Sequence, residues 1–133
     1  MKIIIVEDEK SIRNGLVKML PKLDPEYEVI GSAKDGSEGY QRVLAEQPDL
    51  VIMDIEMPEM DGLTATKKIR KLPRADAESV PIIAMTANAF DDDRRKSEAA
   101  GMNDHLAKPI EPELLYSTLA KAISLYEKSR AGK

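Results

Sequence analysis

Cysteine and tryptophan are absent from the 133 residues, and phenylalanine and histidine occur once each. Without thiols there is no disulfide, no thiolate metal site and no cysteine nucleophile, and the compartment such a chain suits is a reducing one. Long apolar runs are missing too. Met1-Lys2 leads into four apolar residues, Ile3 to Val6, too few for the apolar region of a signal peptide and without a cleavage pattern. No run approaches the ~20 residues of a spanning helix, so the expectation is a cytoplasmic chain with no membrane contact. An excess of positive charge is also lacking, since 20 basic side chains stand against 24 acidic ones for a net charge of -4. A mildly acidic surface repels phosphate backbones, and the short group Lys67, Lys68, Arg70 and Lys71 reads as a solvated helix face. Nucleic acid is therefore not an expected partner.

What the chain does contain is apolar material, 42% of its residues, enough for one domain of this length to bury a core unaided. Three runs are short, continuous and rich in β-branched residues: Ile3-Ile4-Ile5-Val6, Leu50-Val51-Ile52-Met53 and Ile82-Ile83-Ala84-Met85. Strands apolar on both faces suit a parallel sheet covered by helices. Glu28 to Ala33 and Asp104 to Leu106 are weaker candidates, which makes five strands.

Segments with helical spacing lie between them. The first holds Ile12, Leu16, Met19, Leu20 and Leu23 and ends at Pro25; the second follows Asp35-Gly36 with Tyr40, Val43 and Leu44 and stops at Pro48. The third begins near Asp61-Gly62 with Leu63 and Ile69 inward, and Pro73 closes it. The last has Pro112 in its first turn, then Leu115, Leu119, Ala122, Ile123 and Tyr126 on one stripe. The fourth, Phe90 to Ala100, has an apolar stripe of little more than Phe90, Ala99 and Ala100 and should be the least firmly packed. Its order, Asp91-Asp92-Asp93 before Arg94-Arg95-Lys96, complements the helix dipole. Five alternations of strand and helix predict an α/β fold with helices on both faces, one domain over residues 1–126 and a loose tail over 127–133.

In such a sheet, function gathers at the carboxyl ends of the strands. Glu7-Asp8 follows the first run, Asp54-Ile55-Glu56 the third, Thr86-Ala87-Asn88 the fourth, and Lys108-Pro109 the last strand. If the first and third strands are neighbours, Glu7, Asp8 and Asp54 converge, and three carboxylates so close repel one another unless a cation shares them. With oxygen ligands and no second histidine, the fitting ion is Mg2+, and His105 is not assigned to metal. Lys108 adds a positive charge and Thr86 a hydroxyl donor. Around an unpaired carboxylate, such a set suits the spread charge of a phosphoryl group in transfer, with Asp54 itself as the nucleophile.

Each residue also has a plainer reading. Asp8 could cap the helix that begins near Glu9, Asp61-Gly62 could be turn chemistry alone, Thr86 a β-branched strand end, and Lys108 a surface lysine. The methionines Met53, Met57, Met60 and Met85 flank the site, but methionine is first a core filler. What argues against coincidence is that the candidates stand at the ends of different strands of one sheet.

The motifs Val6-Glu7-Asp8-Glu9, Met53-Asp54-Ile55-Glu56-Met57-Pro58-Glu59-Met60-Asp61-Gly62, Met85-Thr86-Ala87 and Lys108-Pro109 resemble, in order and spacing, those of the receiver domains of two-component response regulators. The resemblance spans roughly residues 1 to 126. It implies a flavodoxin-like doubly wound five-stranded parallel sheet of order 2-1-3-4-5. It further implies that Asp54 accepts a phosphoryl group from a phosphohistidine of a sensor histidine kinase or histidine phosphotransfer protein. Mg2+ would be held by Asp8, Asp54, the backbone carbonyl of Glu56 and, through water, Glu7. Thr86, Ala87 and Lys108 would bind the phosphoryl group, and the Lys108-Pro109 bond would be cis. Switching would couple Thr86 to the residue at 105, where this chain has His105 in place of the usual aromatic ring. The residues that tune dephosphorylation would be Glu56 and Asn88. The first half has the style of a receiver in a transcriptional regulator, residues Thr86 to Ile110 that of one attached to a hybrid kinase. The fourth and fifth helices would form the partner-binding surface, and a homodimer through them is an expectation.

Two other readings stay open. One is a Mg2+-dependent phosphatase or phosphotransferase with Asp54 as nucleophile and Glu56 as acid, against which stands the shortage of residues for a cap over the substrate. The other is a degenerate receiver serving only as an interaction module, which requires one of the acidic residues, Thr86 or Lys108 to be displaced.

Overall fold

The computed structural model describes residues 1–57, 60–73, 80–87 and 91–131, apart from the side chains of 91–93 and 126–131. Five strands, β1 (Lys2–Val6), β2 (Glu28–Ala33), β3 (Leu50–Asp54), β4 (Ile82–Thr86) and β5 (Asp104–Ala107), alternate with five helices, α1 (Lys10–Leu23), α2 (Gly36–Glu46), α3 (Gly62–Arg70), α4 (Asp91–Ala100) and α5 (Pro112–Ala131). All strand pairs are parallel, and their order is β2-β1-β3-β4-β5. This is the expected doubly wound, flavodoxin-like α/β sheet.

The apolar runs become strands because alternate side chains serve two cores. Ile3, Ile5, Ile52, Ile83 and Met85 pack with Leu16 and Leu20 of α1 and Leu115 and Leu119 of α5. Ile4, Val6, Val51, Met53 and Ala84 turn the other way, toward Val43 of α2 and Ala65 and Ile69 of α3. Each fully buried branched side chain contributes about 1.5–3 kcal/mol, so both layers are needed to hold β1, β3 and β4 in the middle. Asp35 caps α2 through Glu38 N–H, and Asp61 caps α3 through Thr64 N–H.

Several expectations are corrected. Leu44 is 42% exposed, because α2 turns only Gly36, Gly39 and Val43 fully inward. Among the described side chains of α4, Ala100 and Ser97 are buried, whereas Ala99 faces solvent; Phe90 and the side chain of Tyr126 lie outside the described residues. The tail expected from 127 is instead helical through Ala131, since no glycine or proline intervenes to stop α5 before Gly132. Arg70 does not belong to a solvated face. Its guanidinium donates to Gly101 O (3.0 and 2.7 Å), Val80 O (2.7 Å) and Asn103 Oδ1 (2.8 Å), tying α3 to the start of β4 and to the α4–β5 turn. Burial lowers its pKa from the ordinary arginine value.

Gly15 sits in the interior of α1 with nothing within 4 Å of the position a Cβ would take. A glycine there only weakens the helix, so Gly15→Ala should stabilise the chain by about 0.5–1 kcal/mol. A thermal melt checks this; a melting temperature at or below that of the native chain would show that the open space is needed by the fold.

Among the described residues, no helix is long and apolar enough to cross a membrane.

Candidate functional site

The carboxyl ends of β1, β3, β4 and β5 meet at one edge of the sheet. The β1 pairing runs one residue past the strand, as Glu7 N–H donates to Ala33 O at 2.9 Å, and this draws the Glu7 side chain to full burial at 0% exposure. Asp8 next to it is exposed. It does not cap α1: the cap residue is Glu9, which makes no side-chain cap hydrogen bond. Asp8 precedes the cap, and its carboxylate lies instead in a cluster with those of Glu7 and Asp54, one oxygen from each within 4.8 Å of the others.

Asp54 ends β3 at 3% exposure. One carboxylate oxygen, Oδ1, accepts from Glu56 N–H at 3.0 Å, while Ile55 N–H reaches Met85 O at 3.0 Å, so the chain leaves β3 in a fixed direction. The Glu56 side chain is exposed. Thr86 ends β4, buried, and is followed by exposed Ala87. Lys108 N–H donates to Thr86 O at 2.8 Å, and the Lys108-Pro109 peptide is cis. From there Nζ reaches Asp54 Oδ2 at 2.9 Å and Glu7 Oε1 at 2.7 Å.

The Asp54 contact is a hydrogen bond, but the Glu7 contact is an ion pair without hydrogen-bond geometry, and Oε1 is a buried oxygen lacking a hydrogen-bond donor among the described residues. Burial pushes the Glu7 carboxyl up to about 7, helped by the neighbouring Asp8 carboxylate. The Glu7 carboxyl beside it in turn holds Asp8 below its ordinary value. For Lys108, burial acts to lower the ammonium, but the contacts with Glu7 and Asp54 outweigh it and the pKa stands above the ordinary lysine value.

Three carboxylates against one ammonium leave an excess of negative charge in a largely buried pocket. An under-satisfied carboxylate oxygen, an all-oxygen donor set and close spacing fit a hard divalent cation such as Mg2+.

The structure thus brings together Glu7, Asp8, Asp54 and Lys108, with the Thr86 backbone bonded to Lys108. His105 lies apart from them. It pairs in register with Ala84, two residues before Thr86 on the same face of the sheet, and its Nδ1 is 3.7 Å from Asp104 Oδ1. It lines a polar cavity of about 200 Å³ with Arg94, Ser97 and Glu98 of α4 and Lys121 of α5. Asn88 lies outside the described residues. On the other side of Lys108, an apolar groove of about 430 Å³ runs between α1 and Pro109, lined by Ile12, Gly15, Leu16 and Met19.

At the site itself, sequence reasoning missed the contact that Arg13 makes: its Nη1 donates to Glu7 O at 2.8 Å. The available signal was a cation placed near the start of α1, where the helix dipole disfavours it.

The family model for the response regulator receiver domain matches residues 3–120. Over 111 residues the chain is 44% identical to hybrid signal transduction histidine kinase G of Dictyostelium discoideum, a match covering 84% of this chain and 3% of that kinase. It is 35% identical over 127 residues to the uncharacterized transcriptional regulatory protein YclJ of Bacillus subtilis, covering 96% of this chain and 52% of that regulator. Among solved structures, the receiver domain of a sensor histidine kinase from Pseudomonas aeruginosa PAO1, with a magnesium ion coordinated in its active-site cleft, superposes with a TM-score of 0.81 at 36% identity, covering 92% of this chain and 97% of that one.

Proposed function

Because the chain belongs to the response regulator receiver domain family, the switch domains of two-component signalling, we propose that Asp54 is its phosphoacceptor and that it takes the phosphoryl group from a phosphohistidine. The observation that carries this is Lys108 Nζ held at 2.9 Å from the buried Asp54 carboxylate, beside two further acids. In the reaction, an Asp54 carboxylate oxygen bonds to phosphorus as the phosphorus–nitrogen bond of the donor breaks, and the departing imidazole keeps the electron pair. Lys108 sets its charge against the incoming phosphoryl oxygens, and Thr86 with Ala87 binds them. Mg2+ would be held by Asp8, Asp54, the Glu56 backbone carbonyl and, through water, Glu7. When bound, it supplies positive charge that stabilises the phosphoryl group in transfer. The chain assists its own phosphorylation and dephosphorylation, with Glu56 and Asn88 tuning the latter.

The donor is a sensor histidine kinase or histidine phosphotransfer protein, and the apolar groove beside Lys108 supports contact with a protein rather than a small metabolite alone. The phosphorylation signal passes from Thr86 to His105 and the cavity beneath α4, changing the partner-binding surface of α4 and α5, through which the chain also dimerises. The receiver unit occupies residues 1–126, acts in the cytoplasm, and contacts neither nucleic acid nor membrane.

Intact mass after incubation with acetyl phosphate tests the reading. A single phosphoryl adduct that requires Mg2+ is expected, formed at least ~100-fold more slowly by Lys108→Ala. No adduct in the native chain, together with no beryllofluoride complex, would overturn it.

A further inference from the structure

We infer that Arg13 is a positioning residue for the divalent cation site, a role that rests on the function proposed above. The β1–α1 turn carries two of the three clustered acids, so its conformation decides where Glu7 and Asp8 point. Helices α2 and α3 begin on aspartate caps that fix their entering turns, but α1 has none, since Glu9 makes no side-chain cap hydrogen bond. The turn is held by other means. Glu7 N–H is tied to Ala33 O at 2.9 Å, Glu9 N–H to Glu7 Oε2 at 3.1 Å, and the carbonyl between them, Glu7 O, receives Arg13 Nη1 at 2.8 Å from the first turns of α1. That carbonyl belongs to the peptide joining Glu7 to Asp8, so Arg13 sets the plane from which the Asp8 side chain departs.

Helix energetics do not account for a cation here. The first turn of α1 has no acidic residue, and a positive charge near a helix N-terminus is unfavourable. Among the described residues no ion pair engages it, and its hydrogen bond is to a neutral carbonyl. The arrangement is that of an outer group orienting the ligands of a site, whose removal typically weakens metal binding by 10- to 100-fold.

The sign of the effect separates this role from charge alone. A nearby arginine repels a divalent cation, so if only its charge mattered, removing it would tighten Mg2+ binding. Positioning requires the opposite. Calorimetric titration of the full chain with Mg2+ should give a dissociation constant raised about tenfold in Arg13→Ala. Arg13→Met, which keeps the stem but has no donor, should show the same loss if the alanine variant does not fold. Arg13→Lys, able to donate to the same carbonyl, should recover most of the affinity. In a metal chelator, Arg13→Met should melt close to the native chain, which separates a local loss from general unfolding. Affinity unchanged or increased in both donor-less variants would overturn the inference and leave the proposed function standing. Absence of Mg2+ binding by the native chain would overturn both.

Discussion

Asp54→Asn will form no phosphoryl adduct with acetyl phosphate, with or without Mg2+, while keeping the fold. The amide oxygen can still accept from Glu56 N–H, the 3.0 Å bond that sets the chain direction after β3. Lys108 loses one of its two anions but keeps Glu7 at 2.7 Å. Neutralising one of three clustered carboxylates also relieves their mutual repulsion, which works against the lost ion pair, so the melting temperature without metal should stay near that of the native chain. What disappears is the nucleophile: a neutral amide at this site does not attack phosphorus as the carboxylate does. Intact mass and a thermal melt on the same sample separate the two properties. An adduct persisting in the variant would place the nucleophile elsewhere, with exposed Asp8 as the next candidate, and would sink the assignment of Asp54.

Gly62→Ala will be strongly destabilising, by about 3 kcal/mol. A Cβ at this position would overlap the carbonyl oxygen of Asp54 and come within 2.9 Å of Ile55 Cα. Both are backbone atoms of the β3 end, which the sheet holds through Ile55 N–H to Met85 O. Since no flexible side chain is there to yield, α3 must back away, and Gly62 N–H then strains its 3.2 Å bond to Ile55 O. Whatever overlap α3 does not relieve presses on the Asp54–Ile55 backbone and moves Asp54 relative to Lys108. A shift of about 1 Å at a reacting group costs on the order of 100-fold in rate, so phosphorylation should fall with stability. Denaturant midpoints and adduct formation rates measure the two effects, with Gly15→Ala as the comparison that should go the other way. Native-like stability in Gly62→Ala would mean that α3 can slide off β3 freely, contrary to the close packing there.

Much of the fold was legible locally. Short β-branched runs such as Ile3-Ile4-Ile5-Val6 suit strands covered on both sides, and the aspartates at 35 and 61 announce helix starts because their side chains bond amides three residues on. Reading the ends of those runs also picked out Glu7, Asp8, Asp54 and Lys108, which the structure brings together, since in a parallel sheet every strand delivers its carboxyl end to the same edge. Errors arose where local pattern was a poor guide to packing. Leu44 fits a helical stripe but falls at its margin, and Ser97 is buried where Ala99 was expected.

The sequence by itself determined the identity and order of the elements and the chemistry at each strand end, because periodicity, turn residues and side-chain type act over a few neighbouring positions. Only the tertiary structure decided which ends meet. Asp54 and Lys108 are 54 residues apart, and their 2.9 Å contact exists because β1, β3 and β4 lie side by side with β5 at the edge, an order on which periodicity is silent. It decided, too, that Arg70 holds the α4–β5 turn and Arg13 the β1–α1 turn. Long cationic side chains find their carbonyl partners in three dimensions, and nothing in the residues beside them in sequence specifies which carbonyl will be within reach.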